Sequence, residues 1–315
     1  MSTLSLSGDR RRAPRPRAER PPWEEPPSRA GQAGKGTVLA LVVLAVLVPL
    51  YCVVLTSLST QGAVNRAGGI VLVPDGLTLN AYSTMLSGGP VAQALLVSLG
   101  ITVVGTLFSM VVSVLCAYGL SRSRSLGHRF LLMLLIVTMF VSGGLIPSFL
   151  VVVGLGGLDQ YWSLILPTAV SVFNILVLRS FYSGTAAELI DAARMDGAGE
   201  WRILWSVVLP TSRAVTAVVT LFYAVGYWNS FFNVMLYMGT DSTKWPLQYV
   251  LYSYVSQGVA MPGQSNAGFG SGHSVTTPLA LQMAVVVLTL VPVLIVFPFL
   301  QKHFAKGMLT GAIKG

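Results

Sequence analysis

Six apolar runs dominate the pattern of the chain. They extend from about Thr37 to Leu58, Val91 to Leu120, Phe130 to about Gly154, Trp162 to Leu178, Ala214 to Tyr237 and Pro278 to Leu300. A bilayer core about 30 Å thick needs about 20 apolar residues in a helix, so each run predicts one crossing. The expected fold class is all-α: a polytopic membrane protein with six transmembrane helices. The first run, 37–58, exceeds the apolar core of a secretory signal, and no small-residue cleavage site follows it cleanly. It therefore reads as a span, with an extracytoplasmic loop over 59–90 behind it.

None of the six runs contains Asp, Glu, Lys, Arg or His, so the charges lie in tails and loops and set the orientation. Arg10, Arg11, Arg12, Arg15, Arg17, Arg20, Arg29 and Lys35 precede the first run. Arg122, Arg124 and Arg129 lie between the second and third, and Arg179, Arg194, Arg202 and Arg213 between the fourth and fifth. Lys302, Lys306 and Lys314 follow the sixth. The loops on the other side hold only Arg66 and Lys244. Basic residues near span ends stay in the cytoplasm, which predicts cytoplasmic N and C termini. Residues 1–36, rich in proline and charge, cannot bury a core and are expected to form a disordered, basic tail.

Composition agrees. Charged residues are 10% of the chain, against about a quarter in a soluble domain, and hydrophobic residues are 53%, with mean hydropathy +0.71. The net charge of +9 does not point to nucleic acid, because the cations are not gathered on a folded face with interleaved aromatics. Cys52 and Cys116 lie inside apolar runs and read as small buried residues, not as a disulfide or a metal site. No metal or other cofactor is expected, and lipid is the expected surrounding medium.

Ion-coupled carriers and intramembrane enzymes need ionisable groups at membrane depth. Here His128, His273 and His303 all lie outside the runs, no phosphate-binding Gly-x-x-x-x-Gly-Lys-Ser/Thr loop occurs, and no catalytic residue is assigned. Uphill transport would have to draw on a partner; a passive channel remains open on these grounds. Four uncharged polar residues do lie at depth: Asn174, Asn229, Asn233 and Gln282. Interhelical hydrogen bonds, worth about 0.6–2 kcal/mol, are one reading, and a solute path is the other. Asn229 and Asn233, four apart, would share a helical face beside Tyr227, Trp228, Phe231 and Phe232. Amides among aromatic faces suit sugars.

The loop from Gly184 to Ser212 reads GTAAELIDAARMDGAGEWRILWSVVLPTS. It predicts a helix over 186–195, with Thr185 and Glu188 as a capping box, a turn at Gly197 and Gly199, and a second helix over 200–208. Asp191-Ala192-Ala193, then Asp196-Gly197-Ala198, then Leu209-Pro210 resemble the EAA loop of permeases in binding-protein-dependent ABC importers. Asp191 stands where that pattern has glutamate, and Ala214 where a proline often follows. Ser142 to Pro147, Leu164 to Pro167 and Pro298 to Gly307 are similar to the sugar branch of that family, especially permeases for oligosaccharides and aldouronates.

The resemblance covers about 91–315 and implies the type-1 ABC importer fold, with a permease core over 91–300 and a cytoplasmic tail over 301–315. It implies that the loop's short helix seats on an ATPase subunit through Asp191, Ala192, Ala193, Asp196, Gly197, Ala198, Leu209 and Pro210. It further implies a second permease subunit, two copies of the ATPase and an extracytoplasmic solute-binding protein, in the plasma membrane. Lys306 to Gly315 would reach the ATPase, and the loop from Gly239 to Thr276 the binding protein. Because the spans carry no fixed charge, a neutral sugar is favoured. A permease for another solute, and an ATP-independent carrier or channel, are the alternatives.

Overall fold

The structure is a computed structural model and describes residues 28–87, 89–122, 127–141, 143–184, 187–239, 241–257 and 278–311. Predictions made for residues 1–27, for Ser142, for Thr185 and for most of the segment before Pro278 lie outside the described residues. So do those that rest on the side chains of Glu188 and of 299–311.

Most described residues are helical, and among them one isolated antiparallel bridge, Ser59 to Leu77, is the extent of β-structure. Helix α1 spans Arg29–Ser57 and so begins before the apolar run. Ser28 explains the early start, since its hydroxyl accepts from the Gly31 amide at 3.1 Å as an N-cap does. By contact density the chain divides after Leu50. Of the first unit, the described part is the body of α1, with exposed apolar side chains.

In the second unit, α2 (Gln61–Arg66) and α3 (Asn80–Ser87) fold the segment after the first run, and α4 (Pro90–Leu120) is the long second span. Span three consists of α5 (His128–Phe140) and α6 (Leu145–Gly154), turned through 113° between them. Gly144, at φ +83°, takes a left-handed conformation that suits glycine alone. Span four is α7 (Trp162–Ile165), a 3-10 turn over Leu166–Thr168, and α8 (Val172–Gly184), bent by 52°. Pro167 lies in that turn and lacks the N–H that a straight helix needs.

The loop helices are α9 (Ala187–Met195), α10 (Glu200–Ile203), a π-helical turn over Leu204–Val208 and α11 (Leu209–Thr211). An 86° bend leads into α12 (Arg213–Trp228). Then come α13 (Phe232–Tyr237), α14 (Leu247–Ser256) and α15 (Pro278–Gly311). Among the described residues, three helices are long and apolar enough to cross a membrane unaided, and three bent pairs raise the number to as many as six.

Besides the third and fourth spans, which are broken where single helices were expected, two further elements differ from the sequence expectation. The fifth span is not continuous: α12 ends at Trp228 and α13 restarts at Phe232, so Asn229 and Asn233 do not share one helical face. Sixteen residues of α12 cover about 24 Å, and α13 supplies the remainder. The segment after Gly239 contains a packed helix, α14, whose Leu247, Val250 and Tyr254 are buried at helical spacing.

Helix α4 is the hub and packs against α3, α5, α7, α8, α12 and α14. Its buried face carries small residues at Ser98, Gly105, Ser109, Ser113 and Ala117, while Leu107, Val111, Leu115 and Cys116 are exposed on the others. Cys116 thus departs from the expected burial, and Cys52 conforms to it. Small residues let helix backbones approach closely in lipid. A Cβ on Gly105 would meet the Tyr227 ring of α12 at 2.9 Å.

Candidate functional site

The first candidate site is the loop between the fourth and fifth spans, and its motif has a plain physical reading. Helix α9 ends in a Schellman motif: the Ala198 amide donates to the Ala193 carbonyl at 3.0 Å and the Gly197 amide to Arg194 at 2.9 Å. Gly197 holds φ +78°, which the motif requires at that position. The two alanines face opposite ways. Ala193 packs with Ala198, Ile190 and Leu209 on the main core, whereas Asp191 and Ala192 are exposed beside Met195. Asp196 is exposed at the turn.

The second loop helix starts with Glu200 in its first turn, where a carboxylate complements the helix dipole. Ile203, Leu204 and Val208 bury its inner face. Pro210 has no N–H to return to the Ser206 carbonyl, and the turn before it widens into the π-helical segment.

Glu200 is the centre of an ionic cluster that the sequence reading did not single out. Both its carboxylate oxygens accept from Arg122, which follows the C-terminus of α4. The Tyr118 hydroxyl donates to Glu200 Oε2 at 2.7 Å, and the Arg122 guanidinium lies 4.6 Å from the Tyr118 ring centroid. Arg194 Nε approaches Glu200 Oε1 at 3.8 Å, and Arg194 Nη1 donates to Asp191 Oδ1 at 3.3 Å. Burial lowers the Arg122 pKa; neighbouring Tyr118 opposes that shift and the Arg194 charge adds to it. Arg179 Nε donates to the Leu120 carbonyl at 2.8 Å, tying the end of α4 to α8 as well. The available sequence signal was a pair of opposite charges, one ending a span and one opening a loop helix.

The second candidate site is a cleft of about 510 Å³ that joins the bend of span four to the break after α12. It lies within the volume range of small-ligand sites. Asn174, Asn229 and Asn233 all line it, together with Ser171, Ser230 and the rings of Phe173, Phe231 and Phe232. The tertiary fold therefore brings three of the four predicted polar residues together. Gln282 is half-buried on α15 and does not line the cleft. Asn229 also has a local duty, since its Nδ2 donates to the Val225 carbonyl at 3.0 Å and closes the last turn of α12.

Behind the cleft stands a polar ladder. Ser109 and Tyr227 hydroxyls are 2.8 Å apart, Ser113 and Tyr223 hydroxyls 2.6 Å. Tyr227 also donates to the Ile165 carbonyl at 3.1 Å, and Tyr223 accepts from the Ser171 amide at 3.1 Å. Two serines one turn apart on α4 thus meet two tyrosines one turn apart on α12, and both tyrosines hold the bend of span four. Matching four-residue spacings were the legible hint; the pairing of helices was not.

A family model described as "Binding-protein-dependent transport system inner membrane component" matches residues 109–310. The chain is 45% identical over 246 residues to the polygalacturonan/rhamnogalacturonan transport system permease protein YtcP of Bacillus subtilis (strain 168), covering 78% of this chain and 85% of that one. It is 39% identical over 271 residues to protein LplC of the same organism, covering 85% and 90%. Among solved structures, a bacterial ABC transporter involved in import of the acidic polysaccharide alginate contains a similar chain. The TM-score is 0.78 at 28% identity, over 88% of this chain and 98% of that one.

Proposed function

We propose that this chain, which belongs to the binding-protein-dependent transport system inner membrane components, passes an oligosaccharide through the membrane as one permease of a heterodimeric pair. It is a multi-pass membrane permease of an ABC importer, a class that works with an ATPase and a solute-binding protein. In the proposed assembly two ATPase copies sit on the cytoplasmic side, with both termini of this chain, and hydrolysis belongs to them. ATP binding turns the pore outward to accept solute from the binding protein, and hydrolysis returns it inward.

The single observation that carries this reading is the two-faced α9. Its inner face, Ile190 and Ala193, is welded to the core, and its outer face, Asp191 and Ala192, is open. A helix so built can seat on a partner and pass its displacement to the spans on either side, α8 and α12. Asp196, Gly197 and Ala198 serve as the cap that fixes the helix; Leu209 and Pro210 shape the entry to α12.

The cleft supports a sugar. Aromatic faces take the C–H faces of a pyranose, and amide and hydroxyl groups take its hydroxyls. Relatives named for polygalacturonan and alginate widen the expected class from neutral to uronic-acid sugars, since Asn and Ser side chains donate to a carboxylate as readily as to a hydroxyl.

The test is to tag the chain, purify it gently from its native membrane and reconstitute what accompanies it with its binding protein in liposomes. The expected result is co-purification of an ATPase and a second permease, with ATP-dependent uptake of oligogalacturonate or a neutral oligosaccharide. Uptake that is indifferent to ATP, by a chain purified alone, would overturn the reading.

A further inference from the structure

The loop is covalently continuous with α8 and α12, yet the charged anchorage of Glu200 is to neither. Glu200 takes a two-oxygen grip on Arg122 and receives the Tyr118 hydroxyl, both at the cytoplasmic end of α4. Arg122 is tightly placed, its side chain 24% exposed, and its guanidinium lies against the Tyr118 ring. The planar fork of arginine makes such a contact directional as well as attractive. Through Arg194, the same carboxylate is linked to Asp191 on the open face of α9. At the other end of the connection, α4 carries Ser109 and Ser113, whose partners Tyr227 and Tyr223 line the cleft.

We infer that Glu200 is a positioning residue of the transport cycle, the clamp through which the loop moves the second span together with the fourth and fifth. The inference rests on the importer reading above and adds to it a span that the loop does not adjoin in sequence. Without the clamp, displacement of α9 reaches α4 through α8 and α12, by packing and by bonds such as that from Arg179 to the Leu120 carbonyl. With it, the serines behind the cleft move with the loop, so loop position and cleft shape change together.

An exposed ion pair kept only for fold stability contributes little when removed, which separates the two roles. Cys116 lies exposed on α4, about one turn before Leu120, and offers a probe of that helix. In a Cys52→Ser background, a polarity-sensitive fluorophore is attached to Cys116 in the complete transporter, and ATP with vanadate is added. The expected result is a clear spectral change in the parent and one at least threefold smaller in Glu200→Gln, with the ATPase still bound in both. The double variant Arg122→Glu/Glu200→Arg should recover a substantial part of the change.

An undiminished change in Glu200→Gln, or no change in a parent that holds its ATPase, overturns the clamp and leaves the importer reading intact. A parent that binds no ATPase overturns both. Should Glu200→Gln fail to assemble, Arg122→Lys keeps the charge and loses the fork. An intermediate change in that variant supports the clamp, and a parental one overturns it.

Discussion

The loop proposed to meet the ATPase and the cleft among the helices solve opposite problems with opposite materials. The loop stands in water, is built from one contiguous segment, and can use full charges because solvent and partners screen them. The cleft lies among apolar helices where a lone charge is costly, so its groups are amides, hydroxyls and aromatic rings gathered from two separate segments. In the loop, regular helix ended by a tight cap makes the site. In the cleft, the site exists because helices fail: Pro167 bends one span and the stretch 229–231 interrupts another. What unites them is α4, held by Glu200 through Arg122 at the loop and by Tyr227 and Tyr223 through Ser109 and Ser113 behind the cleft.

The sharpest break between surface and core roles is within the alanine pair. Ala192→Arg should abolish ATPase co-purification while leaving the thermal midpoint of the purified chain unchanged. Ala193→Arg should lower that midpoint markedly, since it drives a charge into the core beneath α9. Equal effects from the two would dissolve the distinction between the faces.

In the cleft, Asn174→Ala and Asn233→Ala should each reduce oligosaccharide uptake about tenfold, the effect of about 1.4 kcal/mol, with ATPase binding unaffected. Uptake at the parental rate in both would remove the cleft from the solute path. Tyr223→Phe strips partners from the Ser113 hydroxyl and the Ser171 amide. It should cost about 1–3 kcal/mol of stability, visible as a lower midpoint in detergent, with the loop's ATPase contact retained.

The smallest effect lies on the extracytoplasmic side. Hydrogen bonds from Thr243 hold the Asp241 carboxyl below its ordinary value of 3.8, against a small opposing desolvation. A depressed carboxyl stabilises its turn above that ordinary value and loses the contribution as pH falls through the lowered one. Protection of the Thr243 amide, taken relative to its intrinsic exchange rate, should therefore fall only below that ordinary value, and Thr243→Val, which loses the hydroxyl donor and keeps the amide, should weaken that pH dependence.

Much of this was legible in residues alone. The apolar runs located the spans because lipid demands about 20 such residues per helix, and the spacing of Asp191, Gly197 and Pro210 marked the loop because a helix, a left-handed turn and a bend are local. Asn174, Asn229 and Asn233 were visible as candidates, but not their convergence, and Gln282 looked as eligible as they did. The helix break at 229–231 was hidden because Asn229 to Phe231 contains neither proline nor glycine; Asn229 closes the turn with its own side chain. Ser28 likewise extended α1 into a segment that composition alone marks as tail.

The sequence by itself thus determined the solvent, the candidate crossings and the spacing of the loop motif, all of which depend on near neighbours in the chain. Only the tertiary structure decided which alanine faces inward, which asparagines share a cleft, and that Glu200 finds Arg122. The last two join segments distant in sequence, brought together as the helices pack around α4.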